Sequence, residues 1–258
     1  TDYDVIVVGG GHAGAEAAWA ASRMGARTLL VTLRRDTIAK MSCNPAIGGI
    51  GKGQLVREID ALGGLMARAA DAAGIQFRIL NRSKGPAVQS PRAQTDKYAY
   101  KDWIRQALEA ADNLDIYEGM AAEVLLRHGR TAGISCTDGR RFNAPAVILT
   151  TGTFLRGVLH CGPEQRPGGR LDEPASNELS DCLKRLGLTV RQLKTGTPVR
   201  LAADTVDLDK LEVQPGDQPP VPFSFLTEAL PQTQVPCWIT YTNPAIHQLL
   251  RDNLHRAP

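Results

Sequence analysis

Three glycines near the start of the chain, Gly9, Gly11 and Gly14, have the spacing G-x-G-x-x-G. An apolar run, Val5-Ile6-Val7-Val8, precedes them, and an alanine-rich stretch from Ala15 to Arg23 follows. A strand before and a helix after is the context in which this spacing binds a dinucleotide. Gly9 permits the tight turn, Gly11 lets the backbone approach a pyrophosphate, and Gly14 allows the helix to pack close to the strand. The free N–H groups and the dipole at the helix start then favour a diphosphate. The competing reading, a tight turn without a ligand, explains the glycines less completely. Thr28 to Thr32 reads as the second strand, and an acid that binds ribose is expected at its end. Thr32, Leu33 and Arg34 stand there instead, with Asp36 just beyond, so the spacing alone does not separate FAD from NAD. Glu16 reads as a solvated first-turn acid, and His12 as a polar loop residue.

The second candidate is a thiol. Cys43 precedes Asn44-Pro45, a turn-forming pair, and a glycine-rich stretch from Gly48 to Gly53 that would set backbone against something bulky or flat. The expected setting is the mouth of a helix whose apolar face is Leu55, Val56, Ile59 and Leu62. A thiol near a helix start and a lysine such as Lys52 can act as a nucleophile; a buried, inert cysteine is the plain alternative. A flavin disulfide reductase would place a second cysteine five residues on, and none lies near. His128, His160, His247 and His255 have no metal-ligand spacing with any cysteine, so no zinc site is expected. Gly53 follows Lys52 where a Walker-type loop needs Ser or Thr.

These groups must be positioned by an α/β scaffold. The chain has 258 residues, 43% of them apolar and 22% charged, which excludes wholesale disorder. Its five cysteines are odd in number and scattered, which argues for a reducing compartment. No apolar run is long enough to cross a bilayer, and the acidic start leading straight into a strand does not read as a signal peptide. The expected location is cytoplasmic. Net charge is only +3, but residues 78–105 hold seven basic residues against two acids, with Phe77, Tyr98, Tyr100 and Trp103 interleaved. That pattern suits phosphate contacts and base stacking. It equally suits the solvated face of a helix whose apolar stripe is Tyr100, Ile104, Ala107 and Leu108.

From 114 to 151 short apolar runs separated by turns suggest an antiparallel meander, about 114–145, before Ala146 to Leu149 returns to a parallel sheet. Residues 156–175 read as a structured loop. Ser176 reads as the N-cap of a helix burying Leu179, Cys182, Leu183 and Leu186, with Gly187 as its stop. Residues 202–236 are proline-rich and irregular, and Asn243-Pro244 starts a last helix using Ile246, Leu249, Leu250 and Leu254.

The motifs resemble one family. Gly-Gly-Gly-His-Ala-Gly at 9 to 14, Met-Ser-Cys-Asn-Pro-Ala-Ile-Gly-Gly-Ile-Gly-Lys-Gly at 41 to 53 and Glu-Ile-Asp-Ala-Leu-Gly-Gly at 58 to 64 are similar to the MnmG (GidA) family. The likeness continues through residues 74–81, 84–88 and 92–94, and resumes at 151–155, 168–170 and 193–198. The family is the FAD-binding subunit of the tRNA uridine 5-carboxymethylaminomethyl modification enzyme. The resemblance implies a Rossmann-like FAD-binding domain of the two-dinucleotide-binding-domain flavoprotein type, carrying an antiparallel meander and the start of an inserted domain. Residues 1–152 would be the N-terminal part of the FAD domain, and 153–258 a flavin- and substrate-contacting segment leading into the insertion. It further implies FAD contacts by Gly9, Gly10, Gly11, His12, Ala13, Gly14, Ser176 and the backbone of Ala121, with Cys43 as the catalytic thiol. NADH and methylenetetrahydrofolate are the implied co-substrates; tRNA, an MnmE-type GTPase and a second copy of the chain are the implied partners. Family members are longer, so the ending at Arg256-Ala257-Pro258 reads as truncation, and the piece alone is expected to be poorly soluble or to hold flavin weakly. The related folate- and FAD-dependent tRNA uracil methyltransferase is the nearest alternative; a non-catalytic nucleotide-binding module is the other.

Overall fold

A computed structural model of the chain describes residues 2–256. In chain order its elements begin with β1 (Val5–Val8), α1 (His12–Arg23), β2 (Thr28–Thr32), β3 (Ala46–Gly48), α2 (Lys52–Ala61) and α3 (Met66–Ala73). They continue with β4 (Gly74–Leu80), β5 (Ser90–Thr95), α4 (Lys97–Glu109), β6 (Leu114–Glu118), β7 (Ala121–Arg127), β8 (Arg130–Cys136), β9 (Arg141–Asn143) and β10 (Ala146–Leu149). The remainder holds β11 (Val158–Cys161), β12 (Glu164–Pro167), α5 (Glu178–Arg185), β13 (Glu212–Gln214), β14 (Cys237–Ile239) and α6 (Pro244–Asp252).

The first sheet runs β10-β1-β2-β6 with every neighbour parallel. β1 and β2 lie at its centre and are apolar at nearly every position because both faces are covered. Alternation along the strands divides the interior in two. Val7 and Leu30 face a core shared with α1, α3 and α4, including Ala15, Ala18, Ala70, Tyr100, Ile104 and Leu108. Ile6, Val8, Leu29 and Val31 face the other side, against Ala121, Ile134, Cys136 and Leu179. That second layer is the antiparallel meander β7-β8-β9 with α5 packed on it. A third sheet, β3-β5-β4, is antiparallel and carries α2 and α3 on its buried face.

Several elements differ from the sequence reading. Leu114–Glu118 pairs parallel to β2, so the meander starts at Ala121 and ends at Asn143. Residues 156–175 contain the hairpin β11-β12 rather than loop alone. On α2, Val56 is buried with Gly53 and Asp60, whereas Leu55 and Leu62 are exposed. Ser176 precedes the Asn177 cap of α5 and is not itself the N-cap. Its backbone instead bridges to the 154–156 segment, Ser176 N–H donating to the Phe154 carbonyl at 2.7 Å. The last helix forms, capped by the Asn243 side chain accepting from the Ile246 amide at 3.0 Å, with Ile246, Leu249, Leu250 and Leu254 exposed. No helix among the described residues is long and apolar enough to cross a membrane.

The proline-rich segment, read as irregular, is so apart from β13, which pairs antiparallel with β14, and it is anchored. Residues 214–235 run as a strap along β4: the Asp217 amide donates to the Phe77 carbonyl at 2.8 Å and the Val235 amide to the Ile75 carbonyl at 2.7 Å. Midway, Phe223 enters the first core, 1% exposed. Asp71 of α3 accepts from the Phe223 and Ser224 amides at 2.7 and 2.8 Å. Asp60 of α2 accepts from the Ser224 hydroxyl and the Phe225 amide, both at 2.7 Å. Four hydrogen bonds thus hold the strap onto two buried carboxylates.

Candidate functional site

The carboxyl ends of the four parallel strands converge on the glycine turn. Gly9 leaves β1 at φ +108°, a conformation that L side chains rarely adopt, and a Cβ there would collide with the Thr150 carbonyl. A Cβ at Gly14 would collide with the Gly9 carbonyl, so the first turn of α1 lies directly on the loop. Gly11 is different: nothing lies within 4 Å of its would-be Cβ. Its backbone is extended at the N-cap position, and no side chain caps the leading amides of α1. Ala13, at the second helical position, is exposed on the same turn. One close packed side and one open side are what a diphosphate at a helix start requires.

Two residues that the motif does not contain hold this turn. The Thr150 hydroxyl, just after β10, lies 2.9 Å from the Val8 carbonyl and 3.0 Å from that of Gly9. Its only sequence signal is the Thr-Thr-Gly corner after the returning strand. Thr32, buried at the end of β2, packs under Gly10, where a Cβ would stand 2.6 Å from its hydroxyl. Arg34 and Asp36 pair with each other at 2.6 Å on the surface. The Gly119 amide donates to the Thr32 carbonyl at 2.8 Å, which ties the β6–β7 turn to the same edge. Ala121 follows two residues later, buried and paired with Cys136 at the start of β7.

His12 is not a loop residue. It opens α1 with its ring packed on Tyr100, centroids 5.6 Å apart, and its Nε2 is buried without a partner. Burial, with Lys52 and Arg170 nearby, pushes its pKa down to about 4. The imidazole is therefore neutral at physiological pH. Glu16 is not solvated either: its carboxylate accepts from the Leu65 and Met66 amides at 2.9 and 2.6 Å, capping α3. Burial raises the Glu16 pKa, against those two hydrogen bonds.

Cys43 stands before β3 rather than at the mouth of α2, because three strand residues and a glycine turn intervene. Its thiol donates to the Gly196 carbonyl at 2.9 Å, and Arg200 donates to its carbonyl at 2.7 Å. Both partners lie in the irregular segment after α5. The turn beyond β3 is held tightly. Gly48 has φ +91°, and a Cβ there would stand 2.8 Å from the Phe223 ring; the Gly49 amide donates to the Pro91 carbonyl at 3.0 Å. The stretch does set backbone against bulk, and the bulk is Phe223 and Pro91. Lys52 opens α2 beyond this turn; burial lowers its pKa, the Cys43 thiol opposes the shift and Arg92 adds to it.

Ser176 lies close to this region through its neighbours. Buried Glu173 takes Arg170 at 2.8 Å and Lys40 at 3.0 Å, and Ala39, next to Lys40, donates to the Gly10 carbonyl at 2.8 Å. Burial pushes the Glu173 carboxyl up, but the two cations outweigh that and leave its pKa lowered. The structure therefore links the glycine turn, His12, Lys52 and the 170–176 segment in one neighbourhood, with Cys43 at the far side of the Gly48–Lys52 turn. Of the aromatics read as possible base-stacking partners, Phe77 and Tyr100 are buried in the core, Trp103 is half-buried, and Tyr98 is exposed.

A parallel sheet with a glycine turn, an open helix start and a meander returning to the sheet defines a dinucleotide-binding α/β protein of the Rossmann type. Residues 4–258 match the family described as Glucose inhibited division protein A, GidA, and the chain belongs to that family. It is 55% identical over 257 residues to the tRNA uridine 5-carboxymethylaminomethyl modification enzyme MnmG of Syntrophotalea carbinolica, covering all of this chain and 42% of the relative. The solved structure of Aquifex aeolicus GidA in its form II crystal superposes with a TM-score of 0.93 at 50% identity, over all of this chain and 44% of that one. The GidA-related protein of Thermus thermophilus shares the fold at 24% identity, with a TM-score of 0.54 over 72% of this chain and 69% of that one. The chain spans about two fifths of the length of the curated relatives it matches.

Proposed function

We propose that this chain is the flavin-holding part of an enzyme that adds a carboxymethylaminomethyl or aminomethyl group to carbon five of the wobble uridine in tRNA. The observation that carries the reading is the open face at Gly11, where a would-be Cβ meets nothing within 4 Å and no side chain caps α1, while Gly9 and Gly14 are packed hard against their neighbours. This cradle fits the diphosphate of FAD. Gly9, Gly10, Gly11, His12, Ala13 and Gly14 would hold that diphosphate, with the backbone near Ala121 toward the adenine and Ser176 toward the flavin. Bound there, FAD supplies the redox chemistry of the one-carbon transfer. NADH is the proposed reductant, methylenetetrahydrofolate the carbon donor, an MnmE-type GTPase and a second copy of the chain the partners, and the cytoplasm the location.

The chain's own contribution is placement. Neutral His12 adds no positive charge beside the dinucleotide, and its unpartnered Nε2 is free to bond a bound group. Glu173 fixes Lys40 and Arg170 and with them the wall that carries Ser176. Cys43 either adds to the uracil ring or handles a proton there, with Lys52 as its cationic neighbour. In the full-length flavoprotein, Cys43→Ser should abolish the wobble modification, read by nucleoside analysis of tRNA, while the flavin absorbance bands persist. Full activity in that variant removes Cys43 from the chemistry. Methylated uracil in place of an aminomethyl product would reassign the enzyme to the related methyltransferase.

A further inference from the structure

The register of the third sheet sets Arg78 of β4 directly opposite Arg92 of β5. Residues opposite one another in an antiparallel pair share a face, and like charges there destabilise the sheet. The neighbouring pair, Phe77 and Ala93, is buried on the other face, so the arginines are held on the outer side. Arg92 also lies opposite Gly48 of β3, in the turn between Cys43 and Lys52. Lys52 opens α2 just beyond that turn, and burial first, with Arg92 adding to it, lowers its pKa.

None of these three cations forms an ion pair among the described residues, and the Arg78 Nε is buried without a partner. The chain does neutralise cations elsewhere. Arg82, on the same hairpin, is paired with Asp217 at 2.6 Å; farther along the chain Arg170 is paired with Glu173 at 2.8 Å and Arg156 with Asp181 at 2.6 Å. An arginine pair that the sheet forces together and no acid relieves fits an oxyanion from outside the chain. The guanidinium fork suits phosphate oxygens bidentately, and the ammonium adds a point charge.

We propose that Arg78, Arg92 and Lys52 form a phosphodiester site that grips the RNA backbone beside the nucleotide addressed by Cys43. The assignment rests on the tRNA-modifying reading above and specifies where that substrate is held. It places the RNA backbone on the outer face of β4 and β5, adjoining the turn that links Cys43 to Lys52. The diphosphate of the dinucleotide offers the same chemistry, and the test separates the two.

The test is the salt dependence of tRNA binding by the full-length flavoprotein, comparing wild type with Arg78→Gln, Arg92→Gln and Arg82→Gln. Each lost phosphate contact should reduce the slope of log K against log salt by about 0.7 to 0.9. Arg78→Gln and Arg92→Gln should each show that reduction with flavin content unchanged, and Arg92→Lys should restore most of the slope. Arg82→Gln, already neutralised by Asp217, should leave the slope as in wild type. An unchanged slope in both site variants overturns the proposal, and loss of flavin with the slope unchanged overturns it in favour of the dinucleotide's own diphosphate. Absence of tRNA binding by wild type overturns it too. Should wild type bind tRNA with the predicted slope differences yet leave the wobble uridine unmodified, the functional reading fails while the phosphate site stands.

Discussion

The glycine crevice and the Cys43 turn sit side by side but are built differently. The crevice rests on regular structure: Gly9 and Thr150 follow adjacent strands of the parallel sheet, and Gly14 is locked by its own helix against the loop. The Cys43 turn rests on segments with almost no regular structure. Its thiol and carbonyl are bonded to residues 153 and 157 positions away, and Gly48 lies on Phe223 of the strap. A ligand pocket can thus be rigid through its sheet while the neighbouring thiol is positioned by a removable cover. The first region is set by strand pairing, the second by the irregular segment after α5 and by the strap that two buried carboxylates hold in place.

Cutting the support of one region and watching the other breaks or sharpens this contrast. The largest effect is expected from Phe223→Ala, which leaves a cavity under Gly48 and should cost about 3 to 5 kcal/mol. Alkylation of Cys43 by a maleimide should accelerate in this variant while flavin content holds; equal loss of both would mean the two regions share one support. Gly14→Ala comes next, at about 1 to 3 kcal/mol for overpacking. Flavin absorbance should fall sharply in it and the Cys43 alkylation rate should stay near wild type. The smallest effect is that of His12→Asn, and it depends on pH. His12 has a pKa lowered from 6.5 to about 4 in the fold, so the unfolded chain binds the proton first on acidification. Its contribution to stability is present above pH 6.5 and is lost as pH falls toward 4. Urea midpoints between those values should therefore decline less steeply in His12→Asn than in wild type.

What could be read in the sequence follows the same division. β1, α1, β2 and β10 were legible because their apolar periods and glycines are local facts about backbone and burial. The stripe of α4 was legible for the same reason, Tyr100, Ile104 and Leu108 recurring at helical spacing and all buried. The partner of β6 was not, since a short run such as Ile116-Tyr117 does not encode whether it pairs parallel or antiparallel. The hairpin β11-β12 hides because Glu164 to Pro167 is exposed throughout and has no apolar alternation. On α2 the helical period was right and the face was shifted: Val56 is buried as read, while Leu55 and Leu62 are exposed. Asp60 turns toward the strap, 165 residues away from its Phe225 partner, and takes the buried position that a leucine would be expected to fill. Glu16 and His12 were misread for one reason: their environments come from α3, α4 and the 170s, and a window around residue 12 contains none of them.

The strap has a consequence for the order in which this chain is made. Asp71 and Phe223 are 152 residues apart. At the usual pace of synthesis, roughly 5 to 20 residues per second, α2 and α3 leave the ribosome on the order of ten seconds before the segment that satisfies their carboxylates. During that interval Asp60 and Asp71 lack their strap partners, and two charges at the unfilled Phe223 site would oppose premature collapse and sticking to other nascent chains. The same acids that close the finished molecule therefore act as its gatekeepers while it is incomplete.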